Sequence, residues 1–291
     1  MSDSSSLVRF YDEAYSRTPS QASFYARWRA LGAEGKADHV MKLCARAGVR
    51  PANTLEVGCG DGALLSELHR RGFGGRLAGV EITQAAVSIA RERPELDAIS
   101  LYDGETLPFA DGEYGLGILS HVLEHVEDPP ALLAEVARCC GAVLVEVPLE
   151  ANLSARRGAK RDHAAEVGHL QRLDRPAMRA IVGEAGLRVS CELEDPLPLE
   201  VQQFFAASGR ERAQATAKWG VRSGLHRLAP SAARRRPRGR RRWRRRPSPT
   251  PPRRGTSACR PCATADRTRR EGARAAPRST AQRRSAPGAR P

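Results

Sequence analysis

From residue 53 onward, short apolar runs alternate regularly with stretches in which apolar residues recur at helical spacing. The predicted strands lie near 53–58, 76–81, 98–102, 114–120 and 141–147. The predicted helices lie near 62–71, 84–92 and 129–138. Because strands that alternate with helices pair in parallel, the pattern predicts a doubly wound α/β domain with helices on both faces of the sheet.

The flanking segments extend this domain. Residues 1–52 are predicted to be helical and contain six aromatic residues within 19 positions, namely Phe10, Tyr11, Tyr15, Phe24, Tyr25 and Trp28. These aromatics either pack against the domain, which is the favoured interpretation, or form a lid over its site. Beyond a polar loop at 149–173, the pattern predicts a helix from Arg175 to Ala185 and a strand from Leu187 to Leu193.

The first predicted strand ends in Leu55-Glu-Val-Gly-Cys-Gly-Asp-Gly62, in which three glycines occupy alternating positions. Glycine permits positive φ and lets a ligand lie against bare backbone, and the N–H groups at the following helix start can bind a polar group. The spacing also fits the dinucleotide fingerprint, with Glu81 about 20 residues later. However, Glu56 and Asp61 place carboxylates beside the turn, which disfavours a pyrophosphate and favours a cationic ligand.

Three further segments join the glycine turn in the order found in one enzyme family. They are Gly79-Val-Glu-Ile82, Tyr102-Asp-Gly-Glu-Thr-Leu-Pro-Phe109 and Ile118-Leu-Ser-His-Val-Leu-Glu-His-Val-Glu-Asp-Pro129. Together the four segments resemble the class I S-adenosylmethionine-dependent methyltransferases over roughly residues 50–195. The resemblance implies a Rossmann-like fold and S-adenosylmethionine as the cofactor.

The resemblance also assigns site residues. It implies that Glu81 accepts hydrogen bonds from the ribose hydroxyls and that Asp103 and Gly104 meet the adenine. It also implies that the segment at the end of the fourth strand, which contains Ser120, lies against the sulfonium and the methyl group. The complete set of implied cofactor-binding residues is Glu56, Gly58, Cys59, Gly60, Glu81, Ile82, Asp103, Gly104 and Ser120. His121 is the candidate catalytic residue, because imidazole can accept a proton from a hydroxyl acceptor near neutral pH. His163 and His169 are weaker candidates for the base.

No metal site is predicted. His121-Val-Leu-Glu-His125 matches the H-x-x-E-H pattern of some zinc proteases, but that chemistry needs a regular helix, and here a strand end precedes the motif and Asp128-Pro129 follows it. Cys259 and Cys262 form a single C-x-x-C pair without a partner pair.

The charge is concentrated in the C-terminal 63 residues. The whole chain has a net charge of +15, but residues 229–291 contain 21 arginines, no lysine and two acids, and so carry +19. Residues 1–228, with 27 basic and 31 acidic side chains, carry −4. The tail contains no Leu, Ile, Val, Phe, Met or Tyr, so we predict that it is disordered.

Two interpretations of this tail remain open. Ten arginines between Arg234 and Arg246 would bind phosphates, which indicates nucleic acid as a partner. The favoured interpretation is a frameshift near residue 233 in a GC-rich gene, because the tail uses mainly residues with GC-rich codons. The family normally has a seventh, antiparallel strand next to the sixth, and the weak run Val201 to Phe205 is its only candidate after residue 200.

The sequence therefore predicts an N-terminal helical cover at 1–50, a methyltransferase domain at 51–228 and a tail at 229–291. We expect a cytoplasmic enzyme that methylates a small molecule, with a mild preference for oxygen, because the N-terminus lacks a signal peptide and no apolar run could span a bilayer. The alternatives are an Arg-rich nucleic-acid-binding protein on an inactive scaffold and an NAD-dependent dehydrogenase. The sequence does not indicate an oligomeric state.

Overall fold

The computed structural model describes residues 8, 9, 12, 15, 19–149, 168–195 and 198–228. Within these residues, five parallel strands form one sheet in the order β3-β2-β1-β4-β5. The strands are β1 (Asn53–Val57), β2 (Arg76–Glu81), β3 (Ala98–Leu101), β4 (Leu116–Ser120) and β5 (Val143–Glu146). The predicted α/β fold with a parallel sheet is confirmed.

Helices flank this sheet and follow the predicted alternation. They are α1 (Pro19–Ala47), α2 (Ala63–Arg70), α3 (Gln84–Arg91), α4 (Pro129–Cys139), α5 (Arg175–Glu184), α6 (Leu199–Gln203) and α7 (Gly209–Leu228). Capping side chains determine where two of these helices begin. The side chain of Asp128 accepts a hydrogen bond from the N–H of Ala131 at the start of α4, and Asp174 caps Ala177 in the same way in α5.

The core lies between the sheet and the helices. Residues of β1, β2 and β4 are buried along almost their whole length, as expected for central parallel strands that are covered on both faces. The apolar side of α2, formed by Leu64, Leu65 and Leu68, is buried as its spacing predicts. None of the helices in the described ranges is both long enough and apolar enough to cross a bilayer.

One close contact fixes the distance between the glycine turn and β2. A β-carbon added to Gly79, in β2, would lie 2.6 Å from the sulfur of Cys59. The Cys59 thiol is buried and fills the space that a side chain at position 79 would need. The missing side chain at position 79 therefore allows the turn to pack directly on the neighbouring strand.

The strand predicted from Leu187 to Leu193 is wrong, because the structure assigns no strand to this segment. A strand needs a neighbouring backbone, whereas this segment is held largely through side chains. Arg175 and Arg179 bind the Glu192 carboxylate, and the Cys191 thiol contacts the carbonyl of Leu43 in α1. Burial does not follow the alternation either, since Val189 is exposed although the pattern would place it with Leu187.

The weak strand candidate Val201 to Phe205 is also wrong, because it overlaps helix α6. Its aromatic end packs on α1, where Phe204 lies 4.8 Å from Phe24 and Phe205 lies 5.8 Å from Trp28, measured between ring centroids. These two α1 aromatics therefore serve packing, as the favoured interpretation expected. Phe10 and Tyr11, and the whole tail from 229 to 291, lie outside the described residues.

Candidate active site

The glycine turn joins β1 to α2 at the carboxyl edge of the sheet. Gly58, Gly60 and Gly62 have φ values of 73°, 56° and 75°, a region that favours glycine. The backbone of this turn is largely engaged within the protein. Gly58 and Cys59 both donate to the carbonyl of Val80, and Gly62 donates to that of Cys59. These three N–H groups therefore donate within the protein, and ligand binding by the N–H groups at the start of α2 stays a prediction.

Glu81 ends β2 beside this turn and uses both of its oxygens. Oε2 accepts a hydrogen bond from Gly60 N at 2.9 Å, and Oε1 accepts one from Ile82 N at 2.7 Å. Burial raises the pKa of the Glu81 carboxyl, although these backbone hydrogen bonds oppose the shift. A carboxylate has room for about four hydrogen bonds, so Glu81 can brace the turn and still accept from a ribose.

Glu56 lies one residue before the end of β1 and is almost completely buried. Its Oε2 has no hydrogen-bond partner among the residues that the structure describes. Burial raises the pKa of Glu56 to about 8, and the nearby charge of Lys36 only partly offsets this. An orphaned buried carboxyl at the turn is what a cationic ligand group would satisfy.

Asp61 is a third buried acid in the turn, and α1 supplies its main partner. Arg29 Nε lies 2.7 Å from Asp61 Oδ2, and Arg93 lies 3.7 Å from the same oxygen. The guanidinium of Arg29 also stacks over the ring of Tyr15 at 4.8 Å. Sequence reasoning missed Arg29, because its partner lies 32 positions away and nothing in the local pattern marks it.

The side chains of Cys59 and Ser120, both predicted to bind the cofactor, contact different neighbours. The side chain of Cys59 packs toward Gly79 in the sheet, and burial raises the pKa of its thiol well above the usual value. Ser120 ends β4 and donates a hydrogen bond to Glu146 Oε2 at 2.8 Å. Their cofactor contacts stay predictions.

The predicted adenine residues lie together beyond β3. Gly104 has a φ of 89°, and a β-carbon on it would lie 3.7 Å from the Ile82 side chain. The Asp103 Oδ1 accepts hydrogen bonds from the N–H groups of Glu105 and Thr106, which lower the pKa of its carboxyl. Asp103 therefore shapes the turn locally, while its second oxygen remains for a ligand.

His121 follows β4 directly and is held in an unusual conformation. Among the described residues it is the one non-glycine residue with a positive φ, at 59°. Its N–H donates to the carbonyl of Glu146, and its Nδ1 lies 3.2 Å from Oε1 of the buried Glu124. Burial would raise the pKa of Glu124, but the contact with His121 outweighs burial and lowers it. Backbone strain of this kind clusters at functional sites.

Glu146, at the end of β5, links two elements that sequence reasoning did not connect. One oxygen accepts from Ser120, and the other lies 2.7 Å from Nδ1 of His39 in α1. Burial would raise the pKa of Glu146, but His39 and the surrounding charges lower it to about 2. The sequence offers one signal for a functional role of Glu146, which is that this acid ends the apolar run Val143-Leu-Val.

The structure therefore gathers the predicted residues Glu56, Gly58, Gly60 and Glu81 at the ends of β1 and β2. Ser120 and His121 lie at the end of the adjacent β4. Ligands of open α/β sheets bind in the crevice at this edge. Three buried acids around a bare glycine backbone suit a ligand with hydroxyl and ammonium groups, and Glu56 supplies a carboxyl that such a ligand would complete.

Comparison with known proteins agrees with this geometry. Residues 25–192 match the model of a protein family described as a methyltransferase domain. The fold is similar to that of geranyl diphosphate C-methyltransferase from Streptomyces coelicolor A3(2), with a TM-score of 0.50 and 19% identity over 64% of this chain and 72% of that chain. At this identity the likeness concerns the fold.

Two curated relatives match shorter segments. An uncharacterized 37.1 kDa protein in transposon TN4556 of Streptomyces fradiae is 38% identical over 94 residues, which are 31% of this chain and 27% of that protein. The ubiquinone biosynthesis O-methyltransferase of Acinetobacter baylyi is 26% identical over 92 residues, which are 30% of this chain and 38% of that enzyme. The chain thus matches well under half the length of either relative.

The family model covers more than half of the chain and spans the glycine turn, Glu81, Asp103 and His121. The chain belongs to the methyltransferase-domain family, the class I S-adenosylmethionine-dependent methyltransferases.

Proposed function

We propose that this protein binds S-adenosylmethionine at the glycine turn and transfers its methyl group to a small-molecule acceptor. The observation that carries the proposal is the hydrogen bonding and the charge of the glycine turn. The N–H groups of Gly58, Cys59 and Gly60 already donate within the protein, and the buried acids Glu56 and Glu81 adjoin them. A pyrophosphate needs N–H donors and no adjacent carboxylates, so this crevice favours S-adenosylmethionine over NAD.

Each residue is proposed for a role that its position supports. Glu81 accepts hydrogen bonds from the ribose hydroxyls, and Glu56 faces the ammonium group of the methionine part. Ile82 and Gly104, which adjoin each other, enclose the adenine. Ser120 and His121, at the end of β4, lie on the side of the methyl group.

When bound, S-adenosylmethionine supplies a methyl group that its sulfonium has already activated. The protein then needs to align the acceptor and to exclude water. For a hydroxyl acceptor, the new O–CH₃ bond forms as the S–CH₃ bond breaks, and S-adenosylhomocysteine leaves. We propose that His121 takes the hydroxyl proton and that Glu124, 3.2 Å from its Nδ1, orients the imidazole.

The preference for an oxygen acceptor and for a small molecule has two supports. His121 offers a base, which oxygen acceptors need more than amines do. The match to an O-methyltransferase of ubiquinone biosynthesis points the same way over 92 residues. Of the segments expected to form the acceptor pocket, 149–173 lies mainly outside the described residues and 1–30 lies partly outside them.

Calorimetry with S-adenosylmethionine, S-adenosylhomocysteine and NAD tests the cofactor assignment. We expect the first two to bind and NAD not to bind. A panel of phenols, alcohols and amines, followed by S-adenosylhomocysteine release, then tests the acceptor class. Binding of NAD without S-adenosylmethionine would overturn the proposal, and turnover of amines alone would overturn the oxygen preference.

The nucleic-acid alternative needs a separate experiment. If the tail is the functional part, full-length protein should shift DNA or RNA in a salt-dependent manner and a 1–228 fragment should not. The cytoplasmic location and the domain limits at 50 and 228 stay predictions.

A further inference from the structure

A second cluster of polar side chains lies beside the proposed methyl-transfer side. Glu124, His125 and His169 each place one potential ligand atom within 4.8 Å of those of the other two. The three residues come from the turn after β4 and from the segment that precedes α5. They are not needed for the contacts with S-adenosylmethionine proposed above.

Glu124 is the least expected member of this cluster. It is 1% exposed, and neither of its carboxylate oxygens has an aligned hydrogen-bond donor among the described residues. Oε1 lies 3.2 Å from Nδ1 of His121 without an aligned hydrogen bond, and Oε2 has no hydrogen-bond partner within the described part of the chain. Burial of a carboxylate without donors is costly, and a bound cation would remove that cost.

His125 is oriented as a metal-binding histidine is. Its Nδ1 lies 3.0 Å from the carbonyl oxygen of Gly168. Because a carbonyl only accepts, Nδ1 must be the donor, and the lone pair of the neutral ring is then on Nε2. A backbone carbonyl on one ring nitrogen commonly fixes the other nitrogen for a metal.

The backbone holds the third member close to the other two. The N–H groups of Leu170 and Gln171 both donate to the carbonyl oxygen of Glu124, at 2.8 and 3.0 Å. These hydrogen bonds fasten the segment that carries His169 to the turn that carries Glu124 and His125. The rings of His125 and His169 lie 4.8 Å apart, edge to face.

We propose that Glu124, His125 and His169 bind a divalent transition-metal ion of the zinc type. Two imidazoles and one carboxylate form a ligand set typical of Zn²⁺, whereas Mg²⁺ and Ca²⁺ prefer oxygen ligands alone. Ligand atoms around zinc lie about 3.4 Å apart at metal–ligand distances of about 2.1 Å, so separations of up to 4.8 Å need to contract by up to about 1.4 Å.

This site differs from the zinc-protease pattern that the sequence analysis rejected. Leu123–His125 forms a single 3₁₀ turn, so His121 and His125 do not share a face of a regular helix. The third ligand instead comes from His169, in another part of the chain. Three protein ligands leave one coordination position of the zinc ion open. Because His121 adjoins the site, this open position lies near the acceptor, an inference that rests on the proposed function.

The test is calorimetric titration of metal-stripped, full-length protein with ZnCl₂, with MgCl₂ as a comparison. We expect one Zn²⁺ per chain and much weaker binding of Mg²⁺. Glu124→Gln and His169→Ala should each weaken Zn²⁺ binding by about 100-fold or more, since even outer-shell changes cost 10–100-fold. Titration with Co²⁺ should give visible absorption bands that His169→Ala alters.

Matched controls separate this site from other zinc ligands. His69→Ala removes an exposed histidine of α2, and Cys259→Ser with Cys262→Ser removes the C-x-x-C pair; both should leave Zn²⁺ affinity unchanged. Circular dichroism checks that each variant is folded, and the Co²⁺ spectrum of the wild-type chain reports nitrogen and oxygen ligands directly.

Three results would overturn the proposal: no Zn²⁺ binding, binding that survives both His169→Ala and Glu124→Gln, or binding that only the cysteine variant removes. Methyl transfer is measured separately. Intact Zn²⁺ binding without methyl transfer would count against the proposed function and not against the metal site.

Discussion

The hydroxyl of Tyr15 lies directly over Gly60, 2.5 Å from the point that a β-carbon on this glycine would occupy. Tyr15 therefore brings the N-terminal part of the chain to the glycine turn, and the lid interpretation of the aromatic residues stays a prediction. Burial raises the pKa of the Tyr15 hydroxyl far above its usual range, so the phenol stays protonated at the turn.

Gly60→Val should abolish binding of S-adenosylmethionine. A β-branched side chain resists the φ of 56° and collides with Tyr15. Gly72→Val is the matched control, because Gly72 has a φ of 66° but open space around its β-position. Both variants should lose stability from backbone strain, and only Gly60→Val should lose cofactor binding in calorimetry. Equal affinity in both would show that the turn is merely structural.

Glu81→Gln should weaken binding of S-adenosylmethionine by roughly 1.5–3 kcal/mol, the range for hydrogen bonds to a charged group. The amide keeps the size of the side chain but offers one oxygen to Gly60 and Ile82, so the melting temperature should also fall somewhat. Glu92→Gln, at the exposed position that follows α3, is the control and should change neither quantity. Unchanged affinity in Glu81→Gln would refute the ribose assignment.

Glu56 should release a proton when S-adenosylmethionine binds at pH 7. With a pKa of about 8, roughly nine-tenths of the Glu56 carboxyls are protonated at this pH, and an adjacent ammonium group favours the charged form. Calorimetry in two buffers of different ionisation enthalpy measures the release. The proton release should disappear in Glu56→Gln and diminish above pH 9, where the Glu56 carboxyl is already ionised. Equal release in wild type and Glu56→Gln would contradict this assignment.

The His39–Glu146 pair should make stability depend on pH. The hydrogen bond to Glu146 raises the pKa of His39, whereas the pKa of Glu146 is lowered to about 2. The contribution of His39 is therefore complete below its unfolded pKa of about 6.5 and is lost as pH rises through the raised value. The contribution of Glu146 is complete above about pH 4.3 and is lost toward pH 2.

Urea unfolding at several pH values checks this prediction. The free energy of unfolding of the wild type should fall as pH rises above about 6.5 and through the raised pKa of His39, and this fall should be smaller in His39→Gln. His69→Gln, which changes an exposed histidine, should behave as the wild type does. The prediction fails if His39→Gln retains the whole fall in stability.

Local patterns in the sequence were sufficient to predict the strands of the central sheet. The apolar runs of β1, β2 and β4 are buried on both faces, so their composition alone marks them, and the caps Asp128 and Asp174 act within three residues. The segment from Leu187 to Leu193 shows where this reasoning fails. Strand pairing depends on a distant neighbour, which alternation within seven residues does not report.

The distinction between local patterns and distant contacts also holds for the candidate active site. The glycine spacing and Glu81 are readable because a single βαβ unit brings them together. Tyr15, Arg29 and Glu146 reach the site from other elements. His169 is brought near Glu124 by the hydrogen bonds that the following residues, Leu170 and Gln171, donate to the Glu124 carbonyl. Pairings of this kind depend on tertiary structure, and no motif within one segment encodes them.

The fit between Cys59 and Gly79 also has an evolutionary consequence. Because the thiol occupies the space beside β2 that a side chain at position 79 would need, the two positions share one fixed volume. A larger residue at 79 would push the glycine turn away from the sheet unless position 59 became smaller first, and it would also crowd Ile99, whose Cδ1 lies 3.0 Å from the added β-carbon. Cys59, between the first two glycines of the turn, is therefore constrained by the neighbouring strand, and positions 59 and 79 should change together as the family diverges.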